Sequence, residues 1–375
     1  MIAHEMVEAF AFSTPVICAV GCMLMMFMDA RTCKRNPQER RLRLYLALTF
    51  LVTALGWLGM VLYAVSPGGF VYYHTVFLLA LMLDQVMFYR LVAILTDTGR
   101  SRPFNRLHAV IPFVITAISA SSDLLVPAEK QITVVYGGAS LAADTWFGIV
   151  YILTSIVFIV YNTLYPLLSL RNIRRYRRFV VDYSSEAQRT SLDWLFGIQL
   201  LILLCIPVPL AGVLLGINTF SSPWFVWLGA LPYFAYYIIL CYNMLDGNYL
   251  IIQPDPADGK DTPEKETTID RRQFERYLRE KKPYLDSKLR ITDLAAGLNT
   301  NRSYLSAFIN REYGMNFSRL INRYRLAELD RLRLSSRYST KSNMELVLIA
   351  GFGNYRNYLR VKKEEDRLAL LKVFE

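Results

Sequence analysis

The chain has 375 residues, of which 54% are hydrophobic and 19% charged, and it carries a net charge of +11. This combination excludes one ordinary soluble domain, because such domains hold about a quarter charged residues and no repeated apolar runs of about 20 residues. The charge is divided unevenly: residues 1–245 carry +5, residues 246–270 carry −5 and residues 271–375 carry +11. The sequence therefore predicts two parts that face different solvents.

Seven apolar stretches in the first part are long enough to cross a bilayer as helices. The links before the second, fourth and sixth stretches hold fifteen Lys and Arg residues, whereas the other three links hold only Lys130. Because basic links stay in the cytoplasm, we predict an outside N-terminus, a bundle of seven transmembrane helices and a cytoplasmic C-terminal part. The stretches lie at about 9–28, 44–65, 70–95, 107–126, 144–170, 194–216 and 223–245.

Asp84, near the middle of the third stretch, is the clearest charged residue within the spans. A carboxylate at this depth is expected to face the interior of the bundle. Two interpretations are open: a ligand or proton sensor, or a hydrogen-bonded carboxyl that holds helices together. The chain lacks the sequence motifs of serine hydrolases and zinc peptidases, so we predict no catalytic residue, no metal site, no cofactor and no enzyme activity.

Residues 246–270 join the two parts with a polar, acidic sequence that is rich in Pro and nearly free of large apolar residues after Ile252. This composition predicts a flexible linker. About 25 such residues reach about 25 to 30 Å, which is enough to hold a domain near the membrane while it reorients.

Residues 271–375 predict a small helical domain that begins with a helix over 271–281 and continues with two short helices. Asn299 can adopt the left-handed conformation that ends the first short helix, and Asn301 can cap the second. Two short helices joined by a turn of three to four residues have helix-turn-helix spacing. The apolar residues expected to face inward are Ile291, Leu294, Ala295 and Leu298 in the first helix and Leu305, Phe308 and Ile309 in the second.

The same pattern is predicted to repeat after a connecting helix that runs from Asn316 to about Leu334. Ser342 and Glu345 have the spacing of a capping box, Gly351 can stop that helix, and Asn354 can cap the next one. The residues of the connecting helix expected to face inward are Phe317, Leu320, Ile321, Tyr324 and Ala327.

Two segments of this domain resemble the DNA-binding domain of the AraC/XylS family of bacterial transcription regulators, over about 275–363. The first is ITDLAAGLNTNRSYLSAFINREYGMNFSRLINRYRLAEL, and the second is AGFGNYRNYLRVKK. The resemblance implies two helix-turn-helix units, at about 289–314 and 342–365, whose reading helices enter successive major grooves about 34 Å apart.

The resemblance also implies which side chains face DNA. Lys362, at a position where the family usually has a core aromatic residue, and the acidic residues 364–366 depart from its pattern. In the first reading helix, the residues expected to contact bases are Arg302, Ser303, Ser306 and Ala307, and those expected to contact phosphates are Asn310 and Arg311. In the second reading helix, the residues expected to contact DNA are Tyr355, Arg356 and Arg360.

These patterns together predict a membrane-bound, one-component transcription regulator in a bacterial inner membrane. The expected partners are double-stranded DNA, the lipid bilayer, an unidentified ligand or membrane partner, and a second copy of the chain in a homodimer. The alternative is a membrane receptor or transporter whose basic helical tail docks a protein partner.

Overall fold

The computed structural model of the chain describes residues 2–32, 36–98, 104–137, 146–186, 191–205, 223–250 and 269–373. The described residues are overwhelmingly helical, which confirms the predicted all-α fold class. The chain divides into two compact units. We call them the apolar unit, with residues 1–96, 101–173 and 193–248, and the basic unit, with residues 97–100, 174–192 and 249–375.

The helices of the apolar unit are α1 (Ile2–Thr32), α2 (Pro37–Val65), α3 (Pro67–Leu95), α4 (Leu107–Leu124), α5 (Ala128–Gly137), α6 (Trp146–Tyr183), α7 (Asp193–Cys205) and α8 (Pro223–Leu245). The last residues of α6, from Arg174 onward, belong to the basic unit.

Six helices within the described ranges are long and apolar enough to cross a membrane, which indicates a multi-pass membrane protein. The sixth predicted stretch, 194–216, begins in the shorter apolar helix α7, and its remainder lies outside the described residues. The fifth stretch, predicted at 144–170, belongs to a helix that continues to Tyr183, well past its expected end. The count of seven spans stays a prediction.

Local sequence explains the tight turn between α2 and α3. The Ser66 backbone N–H donates to the Leu62 carbonyl at 2.8 Å, and its hydroxyl accepts from the Gly69 backbone N–H at 3.2 Å. One serine therefore ends one helix and begins the next. Gly56 and Gly59 of α2 face α3 so closely that an added Cβ at either position would overlap side-chain atoms of α3. Such small residues let two membrane helices approach each other.

Large apolar side chains on α1 face away from the other helices. Phe10, Ile17, Leu24 and Met28 are all exposed, and their spacing places them along one side of the helix. An exposed apolar stripe of this length is costly in water but not in hydrocarbon, which agrees with a membrane-spanning helix.

The helices of the basic unit, after the end of α6, are α9 (Arg271–Lys281), α10 (Ile291–Gly297), α11 (Arg302–Tyr313), α12 (Phe317–Arg333), α13 (Asn343–Ile349) and α14 (Tyr355–Val373). Short 3₁₀ helices at Pro283–Leu285 and Ser336–Tyr338 lie between them. The predicted helix over 271–281 is confirmed.

Two apolar cores share the connecting helix α12. Around its first half, Phe274 of α9 and Phe308 of α11 meet edge to face, with ring centroids 5.4 Å apart. Around its second half the buried residues are Leu329, Leu332, Leu346, Val347, Ala350, Phe352, Tyr358 and Val361. The helix α12 is thus the structural axis that joins the helix pair α10–α11 to the helix pair α13–α14.

The inward face of α12 differs from the predicted one at a single position. Phe317, Leu320 and Ile321 are buried as expected, and Tyr324 is half-buried, but Ala327 is exposed. The expectation for Ala327 was wrong, because the buried row continues through Arg325 and Glu328 instead. Sequence reasoning placed the alanine inward for its apolar side chain and the charged residues outward for theirs.

Candidate nucleic-acid interface

Local signals fix the first helix pair, α10 and α11. Asn299 has a φ of 54°, so it turns the chain at the end of α10. The Asn301 side chain caps α11 by accepting a hydrogen bond from the Tyr304 backbone N–H at 2.8 Å. Gly314 has a φ of 63° and ends α11. The predicted turn and the predicted cap at the start of α11 are confirmed.

The outward face of α11 carries the residues that the sequence assigned to DNA. The inward face consists of Leu305, Phe308 and Ile309, as predicted. Because these apolar residues pack into the core, the polar residues of the helix are turned to the surface. Ser303, Ala307, Asn310 and Arg311 are exposed, and Arg302 and Ser306 are half-buried.

Asn310 and Arg311, the two expected phosphate contacts, have intramolecular partners near the end of α11. The Asn310 Nδ2 donates to the Ser306 carbonyl at 3.0 Å. The Arg311 Nε donates to the Glu312 carboxylate at 2.9 Å, and this hydrogen bond raises the pKa of Arg311. An exposed ion pair of this kind contributes little free energy. A phosphate oxygen can therefore replace the Glu312 carboxylate as the acceptor for Arg311.

Arg302, the first expected base contact, is stacked on two aromatic rings from the end of α6. Its guanidinium carbon lies 4.0 Å from the ring centroid of Phe179 and 5.6 Å from that of Tyr183. Distances below about 6 Å correspond to a cation–π attraction. Sequence reasoning missed these partners, because they lie more than a hundred residues away in a basic link that was used only to predict the membrane topology.

The second helix pair, α13 and α14, follows the same plan as the first. The Glu345 backbone N–H donates to the Ser342 hydroxyl, and the Ser342 backbone N–H donates to the Glu345 carboxylate, which confirms the predicted capping box. Gly351 has a φ of 96° and turns the chain after α13. The Asn354 side chain accepts from the Asn357 backbone N–H at 2.7 Å and caps α14 as expected.

The predicted contact residues of α14 lie in its first turns. Arg356 and Arg360 are both exposed and stand one turn apart. Tyr355 is half-buried, and its hydroxyl accepts a hydrogen bond from the Asn343 side chain of α13 at 3.2 Å. The two arginines are therefore neighbours on the surface of α14, whereas Tyr355 also links α14 to α13.

The residues of α14 that depart from the expected pattern have defined positions. Lys362 is exposed, while the neighbouring Val361 is buried in the second core. Glu365 accepts hydrogen bonds from the Arg319 guanidinium of α12 at 2.6 and 3.3 Å, which raises the pKa of Arg319. One residue of the acidic run therefore binds α14 to the connecting helix.

Arg325 of α12 anchors the connecting helix from inside the basic unit. Its side chain is fully buried, and Nε donates to the Tyr284 carbonyl at 2.8 Å. Nη1 donates to Asn322 Oδ1 at 3.1 Å, while Nη2 donates to Ser185 Oγ at 3.0 Å and to the Asp286 carbonyl at 2.7 Å. Burial lowers the pKa of Arg325 to about 10, which leaves the guanidinium charged at neutral pH.

In the apolar unit, the structure places Asp84 inside the bundle, as expected from its position in the third stretch. The carboxylate is buried and accepts a hydrogen bond from the Thr53 hydroxyl of α2, and the neighbouring Gln85 is buried too. This contact between α2 and α3 is the polar helix-to-helix contact of the second interpretation. A sensing role for Asp84 stays a prediction.

Within the described ranges, no group of three or more His, Cys, Asp or Glu residues is arranged to hold a metal ion. A comparison of the chain with protein-family models, curated proteins and solved structures gives no match. The function of the interface therefore has to be inferred from its own residues and geometry.

Proposed function

We propose that the protein is a membrane-bound, one-component transcription regulator that binds double-stranded DNA through its basic unit. The observation that carries this proposal is the repetition of one plan: two capped helix pairs on a shared connecting helix, each with polar and basic side chains at the start of its second helix. In this proposal both pairs are helix-turn-helix units, and α11 and α14 are the reading helices. The resemblance to the AraC/XylS family supports the same assignment.

The distribution of charge supports DNA as the partner. Residues 271–375 hold 23 Lys and Arg against 12 Asp and Glu. Such an excess attracts the phosphate backbone and gives binding that weakens as salt rises. Arg356 and Arg360 are suited to reading guanine, because a guanidinium donates two parallel hydrogen bonds to its O6 and N7 atoms.

The membrane arrangement in this proposal has seven spans, an outside N-terminus and a basic unit in the cytoplasm of a bacterium. It is supported by the six long apolar helices and by the concentration of basic residues in alternate links. The apolar unit then senses a ligand or a membrane partner. A ligand acts by binding one state of the bundle more tightly than another, and that difference is what the basic unit reports.

The experiment uses the full chain reconstituted in lipid nanodiscs and a pool of random-sequence DNA duplexes. Selection is carried out at about 50 and 200 mM salt, a range over which phosphate contacts weaken strongly. We expect an enriched sequence motif that is lost when Arg302, Arg356 and Arg360 are all changed to Ala. Each base-contacting arginine is expected to contribute about 1 to 3 kcal/mol, and its loss is expected to relax specificity at its own position.

The matched control changes Arg272, Arg276 and Arg279 to Ala. These three arginines are exposed on α9 and lie outside both helix pairs, so the control removes the same charge from another surface. We expect it to preserve the motif and to lower only the salt-dependent attraction. Equal losses in the two triple variants, or no enriched motif at all, would refute sequence-specific DNA binding.

A receptor or transporter whose tail docks a protein partner is the second candidate function. Exposed apolar side chains on the basic unit, Leu348, Ile349 and Leu359, favour it. This function predicts that the wild-type chain does not bind DNA duplexes. It also predicts that changing all three residues to Ser abolishes binding of the protein partner. The DNA-binding proposal predicts instead that the wild-type chain enriches a motif.

A further inference from the structure

The segment that follows α6 is built into the basic unit by backbone and side-chain bonds. The Ser185 backbone N–H donates to the Leu289 carbonyl at 3.1 Å, beside an antiparallel bridge between Ser184 and Arg290. The Ser185 hydroxyl donates to the Ser287 carbonyl at 3.2 Å. These bonds fix the segment against the chain just before α10.

The same serine also contacts the connecting helix α12. The Ser185 hydroxyl accepts from the buried Arg325 guanidinium at 3.0 Å, and the Ser185 carbonyl accepts from the Ser318 hydroxyl at 3.3 Å. Glu186 is buried next to Gly353, so closely that an added Cβ on the glycine would overlap the carboxylate. The segment therefore has specific partners before α10, on α12 and between α13 and α14.

This anchoring places the end of α6 on the first reading helix. The Phe179 and Tyr183 rings lie 4.0 and 5.6 Å from the Arg302 guanidinium carbon. The Asp182 carboxylate interacts electrostatically with Arg302 and contacts the Asn310 side chain. Two of the residues that are expected to face DNA are thus engaged by one turn of α6.

DNA and the end of α6 cannot occupy this surface together. A helix with its side chains is about 10 to 12 Å across, and the major groove is about 12 Å wide, so the groove admits one helix and not two. The Asp182 carboxylate also adds a negative charge where a phosphate would approach. Binding of α11 in the groove requires the segment to leave.

We propose that residues 179–186 form an autoinhibitory contact that covers Arg302 and keeps the first reading helix from DNA until the segment is displaced. This inference rests on the proposed function, because it assigns regulation to the same interface. The segment comprises the last five residues of α6 and the three residues that follow it, and α6 itself begins at Trp146 in the apolar unit.

The test measures DNA affinity of the full chain in nanodiscs by fluorescence anisotropy, with a labelled pool of random-sequence duplexes as the probe. Changing Phe179 and Tyr183 to Ala removes both rings from Arg302. We expect about two- to thirtyfold tighter binding, the range that corresponds to one or two cation–π contacts that stabilise the closed state. The matched control, Phe179→Tyr with Tyr183→Phe, keeps both rings and is expected to bind like the wild type.

Hydrogen exchange gives a second measurement that does not depend on any substitution. The Ser185 backbone N–H is hydrogen-bonded in the closed state, so its exchange is slow. We expect saturating duplex to accelerate exchange at Ser185 while it slows exchange in α11. Unchanged or stronger protection of Ser185 in the DNA complex would overturn the proposal.

A third variant, Arg302→Ala, separates failure of this inference from failure of the proposed function. If Arg302→Ala weakens binding but removal of the two rings leaves affinity unchanged, DNA binding stands and autoinhibition is refuted. If no variant binds duplex and Arg302→Ala has no effect, the proposed function itself fails. If the inference is right, Arg302→Ala costs more affinity in the ring-deleted background than in the wild type.

Discussion

Replacement of the buried Arg325 by Ala is the sharpest test of how the basic unit is held together. The guanidinium donates four hydrogen bonds, to the Tyr284 and Asp286 carbonyls, to Asn322 and to Ser185. Its removal leaves these acceptors without a donor in a site that water does not reach. Each buried acceptor left without a donor costs about 1 to 3 kcal/mol, and because bonds within one network are not additive, we take the total loss as about 3 to 5 kcal/mol.

A loss of this size is measurable in the full chain by hydrogen exchange of the slowest amides in α12, which report the opening free energy of the unit. The corresponding fall in the melting temperature is at least about 12 °C for a domain of this size. Arg325→Lys keeps the charge but replaces the planar guanidinium with an ammonium that has fewer donors. We therefore expect a smaller but clear loss in the free energy of unfolding.

The matched control is Arg323→Ala, two residues earlier on the same helix. Arg323 is 54% exposed and lies 3.8 Å from the Glu365 carboxylate, so its removal is expected to cost less than about 1 kcal/mol. If Arg325→Ala stays within about 1 kcal/mol of the wild type, the buried network does not stabilise the unit and the reasoning is refuted.

Three further substitutions test separate parts of the second helix pair. Gly351→Ala forces a Cβ onto a φ of 96° and against the Tyr284 carbonyl oxygen, so we expect a loss of about 2 to 4 kcal/mol in thermal unfolding. Hydrogen bonds from Lys341 and the capping serine lower the pKa of Glu345 to about 2 from 4.5, so the stability that it contributes is present above pH 4.5 and is lost as the pH falls toward 2. Glu345→Gln should flatten that part of the pH dependence of unfolding, and an unchanged profile would contradict the capping box. Glu365→Gln should cost about 1 kcal/mol and speed hydrogen exchange in α14, whereas unaltered exchange would show that its ion pair does not hold the helix.

The features that sequence reasoning predicted correctly are those that neighbouring residues determine. Asn301 and Ser342 cap helices through backbone groups three residues away, and Gly314 and Gly351 turn the chain at positions where a left-handed φ is required. Such bonds depend on spacing along the chain, so the pattern contains them. The turns between the helices of both pairs followed from these local signals, whereas α14 continues to Val373, past the predicted end of the second unit at about 365.

The features that sequence reasoning missed depend on partners far apart in the chain. Arg325 is buried because Ser185, 140 residues earlier, supplies one of its acceptors. Hydrophobic periodicity assigns charged residues to the exposed face of a helix and apolar residues to the buried face. For the same reason Ala327 was placed inward in error. Arg302 was predicted as a base contact, and the pattern gave no sign that Phe179 covers it.

The length of α6 has a mechanical consequence. Its residues, Trp146–Tyr183, number 38, so at about 1.5 Å per residue the helix extends about 57 Å, nearly twice the hydrocarbon thickness of a bilayer. Pro166 lies inside this helix, where it removes one backbone hydrogen bond and favours a kink. Rotation by about 60° moves a ring that stands about 6 Å from the axis by about 6 Å, which takes it out of cation–π range. A rotation of this size in the part of α6 that belongs to the basic unit, from Arg174 to Tyr183, is therefore sufficient to carry Phe179 away from Arg302 without unwinding the helix.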